Sequence, residues 1–144
     1  MRPALAAASV FLAAMAAVAR PAQEPETTRT VWDGVYNEAQ AARGEQLYAA
    51  HCSRCHGNTL AGMEAAPALT GTTFYSNWEG ETLQALFDRI RTSMPPDKPG
   101  SVSRAQIADI LSHVLRVGGF PAGEMPLDAQ GPLAAIAIRM YKPR

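Results

Sequence analysis

The spacing of apolar positions changes along the chain, and each change marks a different kind of segment. Leu5 to Val18 is an almost unbroken apolar run dominated by alanine, and Arg20 to Thr30 is polar, with Pro21, Pro25, Glu24 and Glu26. Apolar side chains return at Val31, Trp32, Val35 and Tyr36, an extended piece expected to lie on the domain with Trp32 or Tyr36 as its anchor. A first helix is predicted from about Glu38 to Ala50. Asn37 is its N-cap, and Glu38 sits in the first turn, where the helix dipole favours a negative charge. Gly44 falls inside this helix at a cost of about 1 kcal/mol relative to alanine. Such a glycine marks either a weak spot in an exposed helix or a close approach by another element. Tyr48 follows on the same face, so the second reading makes Gly44 and Tyr48 the place where the last helix crosses.

Leu83, Leu86, Phe87 and Ile90 recur at helical spacing and predict a helix over roughly Glu81 to Thr92. Pro95 restricts the residue before it to extended backbone, so this helix stops at or before Met94. Ser103 and Gln106 form a capping box that opens the last helix. Its apolar stripe is Ile107, Ile110, Leu111, Val114 and Leu115, and Gly118-Gly119 ends it. Residues 57–71 show no period and read as a loop, and 72–80 reads as connecting sequence carrying Phe74, Tyr75 and Trp78. Beyond Phe120 the chain is rich in proline and glycine, with Leu133, Ile136 and Ile138 in a tail expected to dock on the body. The pattern predicts an all-α domain of three to four short helices.

Composition narrows the picture. A chain of 144 residues holds one domain with a small core. Lys plus Arg and Asp plus Glu number 13 each, with no run of like charge. A nucleic-acid surface needs a clustered basic face, and none is present; nor is there a reason to expect attraction to anionic lipid. The N-terminal run follows Arg2, is shorter than the ~20 residues of a spanning helix, and ends in the small-residue site Ala17-Val18-Ala19. It reads as a secretory signal, with cleavage after Ala22 or retention as an anchor as the alternatives. The expected organisation is a signal peptide over 1–19, a flexible leader over 20–30, a domain over 31–121 and a tail over 122–144. The expected location is periplasmic or secreted, in a bacterium.

Candidate chemistry is concentrated at Cys52-Ser53-Arg54-Cys55-His56, which uses both cysteines of the chain. Two thiols on one short turn can bond both vinyl groups of one porphyrin, and the adjacent imidazole then reaches the iron from one side. A thioredoxin-like pair would want a βαβ pattern around it, where the flanks here are helical. A structural zinc site would want a second Cys/His pair, which His51 and His113 do not form. A plain disulfide would leave His56 without a role. Export agrees with haem attachment, which bacteria complete outside the cytoplasm.

The CxxCH, the Gly-rich loop with Ala66-Pro67-Ala68-Leu69-Thr70-Gly71, and the helix ending in Met94-Pro95 together resemble the class I cytochrome c family. Within it, the chain is similar to small domains found with quinoprotein alcohol dehydrogenases and to related bacterial single-haem cytochromes. The resemblance covers about Val31 to Pro121. It implies one haem c, bonded through Cys52 and Cys55, with His56 as proximal ligand and the Pro67 carbonyl accepting from its ring. It further implies that Leu69 packs on the haem and that Trp78 lies over its edge or a propionate, with ordinary core packing as the alternative for Trp78. Met94, presented by a loop stiffened with three prolines, is expected as the distal ligand; Met63 and Met125 are its competitors. The family often carries Ala-Tyr where this chain has Ser112-His113, and His113 is expected to replace the tyrosine as a packing and hydrogen-bonding ring.

The implied function is that of an exported single-haem electron carrier with both axial positions filled, and not of a catalyst. A quinoprotein dehydrogenase is the implied donor, and an oxidase or another cytochrome the implied acceptor. Two other classes stay open at this point: a haem enzyme or gas-binding protein with an open sixth iron position, and a binding module without haem.

Overall fold

The computed structural model of the chain describes residues 28–64 and 66–144. The expected signal peptide and most of the expected leader therefore lie outside the described residues. Within them the order is β1 (Arg29–Thr30), α1 (Glu38–His51), α2 (Ser53–His56), α3 (Gly71–Trp78), α4 (Leu83–Ser93), α5 (Arg104–Val117), a 3₁₀ turn (Leu133–Ala135) and β2 (Ile136–Ala137). No described helix is long and apolar enough to cross a membrane.

The frame is the crossing of α1 and α5, the most extensive pairing of elements. Asn37 caps α1 by accepting from the Gln40 N–H, and Ser103 and Gln106 form the capping box of α5. These caps satisfy N–H groups that a helix start leaves without partners. Gly44 is the reason the two helices can approach. A Cβ there would fall inside the van der Waals shell of the Asp109 carbonyl and close to the His113 Cβ. The glycine is a contact, and its cost to the helix is offset by the packing it permits. Tyr48 and His113 meet on the same seam with ring centroids 5.4 Å apart. Arg43 clamps Asp109 through two hydrogen bonds of 3.0 Å, and Arg116 reaches Glu45 at 2.7 Å.

Residues 71–78 form a helix, α3, where connecting sequence was expected. Gly71, Thr72 and Thr73 are poor helix formers, and eight residues are too few to show a clear period. The signal was the spacing of Phe74, Tyr75 and Trp78, which lies at i, i+1 and i+4. Phe74 is buried, and Trp78 is half-buried at the helix end.

The ends of the domain are tied together. Arg29 and Thr30 pair in parallel with Ile136 and Ala137, so the last residues of the stretch expected as a flexible leader are a strand. Period alone could not reveal this, because two residues carry none. Ile138 bonds to the α3–α4 connection on both sides, donating to Glu81 and accepting from Gly80 at 2.8 and 3.0 Å. Leu127, Leu133, Ile136 and Ile138 are all buried. Gln40, a buried polar residue of α1, holds the tail through both backbone groups of Leu127, at 2.6 and 3.0 Å. Trp32 and Tyr36 both anchor the entry segment: the indole donates to the Arg139 carbonyl at 3.0 Å and the phenol to the Phe120 carbonyl at 2.7 Å.

Candidate cofactor site

A cavity of about 1070 Å³ opens between α2, α3, α4, α5 and the loop after α4. That volume lies just above the range of ordinary ligand pockets, about 300–1,000 Å³. Its wall brings together Cys52, Cys55, His56, Pro67, Leu69, Trp78 and Met94, residues spread over more than forty positions of chain. The rest of the wall is mainly apolar, with Phe74 from α3, Leu86 and Ile90 from α4, and Leu111 and Val114 from α5.

Each donor has a local reason for its position. Helix α1 ends at His51 and the chain turns at Cys52 directly into α2, one turn long. That turn places both thiols and the imidazole on the same short arc. Cys52 and Cys55 are free and half-buried; burial, and then the neighbouring Cys55, push the Cys52 thiol up to about 11. The Tyr48 hydroxyl donates to the Gly57 carbonyl at 2.7 Å, which pins the exit of α2 to α1. Burial, followed by the charge of Cys52, raises this phenol to about 12.

The loop over 57–70 then folds back under the imidazole. Gly62 accepts a positive φ of 79°, and a side chain there would strike the backbone of Ala66 to Ala68. Its N–H bonds the His56 carbonyl at 2.9 Å, and the Leu69 N–H bonds Leu60 at 2.8 Å. This folding brings the Pro67 carbonyl to 2.8 Å from His56 Nδ1. A carbonyl can only accept, so the ring proton sits on Nδ1 and Nε2 carries the free lone pair of the neutral ring. An imidazole held this way is oriented and made more basic as a ligand.

Met94 is the C-cap of α4, extended at φ −123° and ψ 144° as a residue before proline must be. It is half-buried on the cavity wall. Met63 and Met125 are 54% and 73% exposed and do not line the cavity. His113 also lies off that wall: its ring packs on Tyr48, and Arg116 donates to its Nδ1 at 3.2 Å. Burial, reinforced by the Arg116 charge, holds His113 below its ordinary value.

Among the described residues, no group of three or more His, Cys, Asp or Glu is arranged to hold a bare metal ion. The donors on the wall are the imidazole of His56, the thioether of Met94 and two thiols, with the His51 ring also on the lining, in a mainly apolar cleft. That set fits an iron porphyrin: the nitrogen and sulfur donors could hold the iron, the two thiols could attach the macrocycle, and the apolar wall could cover it.

A helical body closed around such a cleft, with CxxCH at its edge, defines a class I c-type cytochrome. Residues 39–114, more than half of the chain, match the family model described as cytochrome c oxidase, cbb3-type, subunit III. The chain belongs to that family. Among solved structures it is similar to the sulfane dehydrogenase SoxCD from Paracoccus pantotrophus, with a TM-score of 0.52 and 21% identity. The likeness covers 77% of this chain and 61% of that one, and it is a likeness of fold. No curated protein matches the chain. A cytochrome c domain implies haem c, electron transfer as its role and redox proteins as its partners.

Sequence reasoning placed Trp78 at the site but missed Phe74 and Asn77, the rest of the wall built by α3, because the helix itself was not foreseen. It also missed Gln40, whose buried amide holds the tail, and the ion pair between Arg54 and Asp97. No local signal marks a pair 43 residues apart.

Proposed function

We propose that this chain is an exported single-haem cytochrome that passes one electron at a time between protein partners, with His56 and Met94 as axial ligands. The observation that carries this reading is the meeting of Cys52, Cys55, His56 and Met94 on the wall of one cavity. Haem, when bound, supplies one-electron iron chemistry. Cys52 and Cys55 would attach it by adding their S–H groups across its two vinyl groups. His56, with Nδ1 held by Pro67, would bind it through Nε2, and Met94 would bind it through its sulfur. Leu69, Phe74 and Leu86 exclude water, and a dry, methionine-ligated site favours the reduced state. With His56 and Met94 both holding the iron, small substrates would find no open coordination position.

The N-terminal run of 1–19 supports export to the periplasm or beyond. An oxidase as electron acceptor is supported by the name of the matched family. A quinoprotein dehydrogenase as donor is supported by the resemblance to domains that accompany such enzymes. Partners of this kind dock weakly and transiently, through a small patch.

The test is spectroscopic. The purified holoprotein should show a low-spin haem in both oxidation states, no rapid uptake of carbon monoxide, and a sulfur-to-iron charge-transfer band when oxidised. Met94→Ala should lose that band and bind carbon monoxide readily. Persistence of the band in the variant would overturn the ligand assignment. A protein mass equal to the bare polypeptide would overturn haem attachment.

A further inference from the structure

The two ligand-bearing segments meet across the mouth of the cavity at a single polar contact. Arg54, between the two cysteines, places Nη2 3.0 Å from Asp97 Oδ2, on the loop that follows Met94. The other hydrogen bonds of residues 95–101, among the described residues, are local: Lys98 to Pro95 at 2.9 Å and Ser101 to Lys98 at 3.2 Å. So the loop carrying the methionine folds on itself and touches the segment carrying the imidazole, in polar terms, only through this pair.

We propose that Arg54 and Asp97 are positioning residues for the sixth ligand, a latch that holds the Met94 loop closed over the cavity. The inference rests on the reading of Met94 as a ligand. Arg54 and Asp97 are 79% and 60% exposed, so as a contribution to global stability the pair is small. Its leverage is local. Opening of the loop is a sub-global equilibrium of its own, and few other polar contacts oppose it. A modest coupling therefore appears almost undiluted in the fraction of molecules whose methionine is detached.

That fraction can be read with imidazole as the competing ligand. Imidazole reaches iron only when the thioether has left, so its apparent affinity scales with the open fraction. Titration of the oxidised full-length holoprotein should give an affinity about two- to fivefold higher in Asp97→Asn and in Arg54→Gln, the range an exposed ion pair supports. Arg54→Gln combined with Asp97→Asn should match either single change. The exchanged pair, Arg54→Asp with Asp97→Arg, should recover much of the original affinity. The gap between original and single variants should close in high salt, because both groups are exposed to screening. Equal imidazole affinity in all forms, or single effects that simply add in the double change, would overturn the latch while leaving the ligand assignment intact. Absence of the sulfur-to-iron band in the unaltered protein would remove the ligand assignment, and the latch with it.

Discussion

The two sides of the cavity are held by different means. On one side α1 and α5 cross at a seam where Gly44 admits backbone against backbone, Tyr48 packs on His113, and Arg43 and Arg116 close the flanks. On the other, the loop after Met94 is stiffened by prolines and tied across the mouth by one exposed ion pair. The contrast matches the tasks. A frame that positions a cofactor must not move, and a loop that carries a proposed thioether ligand needs only to be kept near. It teaches that stability and ligand retention are separable here, and four measurements can break or sharpen that separation.

The largest effect should come from the frame. Leu115 in α5 is fully buried, and Leu115→Ala should cost about 2–5 kcal/mol through lost transfer and a residual cavity. Chemical denaturation of the holoprotein measures it; a loss under ~1 kcal/mol would mean that the core around Leu115 relaxes freely. Gly44→Ala should follow at about 1–3 kcal/mol, because its Cβ meets backbone that cannot swing aside. A neutral or stabilising result, as expected for an exposed helical glycine, would deny the close approach.

Next is a pH effect on the seam. Burial, and then Arg116, depress His113, while Glu45 opposes them. The folded state therefore binds this proton less readily than the unfolded chain. The stability linked to His113 is full above its ordinary 6.5 and is lost as pH falls from there toward the depressed folded value. The slope from one such group is at most about 1.4 kcal/mol per pH unit. Unfolding curves between pH 7 and pH 5 should show it, and His113→Gln should flatten it; an unchanged slope would assign the effect elsewhere. The smallest effect belongs to the other side of the cavity. Asp97→Asn should alter global stability by no more than about 0.5 kcal/mol even as it loosens the methionine loop. A loss as large as that of Gly44→Ala would merge the two regions into one cooperative unit.

Much of the helical frame was legible in the chain because its signals are local. Asn37, Ser103 with Gln106, and Gly118-Gly119 mark helix ends within a few residues, and Pro95 ends α4 at Met94 for steric reasons alone. The attachment motif was legible for the same reason, since its chemistry demands adjacency. Helix α3 was not, because eight residues with two threonines and a glycine satisfy the loop pattern as well as the helical one. Strand β1 and the docking of Gln40 on Leu127 were not either. Their partners lie far along the chain, at Ile136 and Leu127, and only a folded tail brings them within reach.

By itself the sequence determined the approximate ends of α1, α4 and α5, the CxxCH and a methionine made to stop at a proline, because each follows from sterics or bonding between near neighbours. Tertiary structure decided which of those groups share a wall and that Arg54 finds Asp97. These depend on where segments tens of residues apart in the chain come to rest. That is set by the packing of α1 on α5, and no short stretch of residues encodes it.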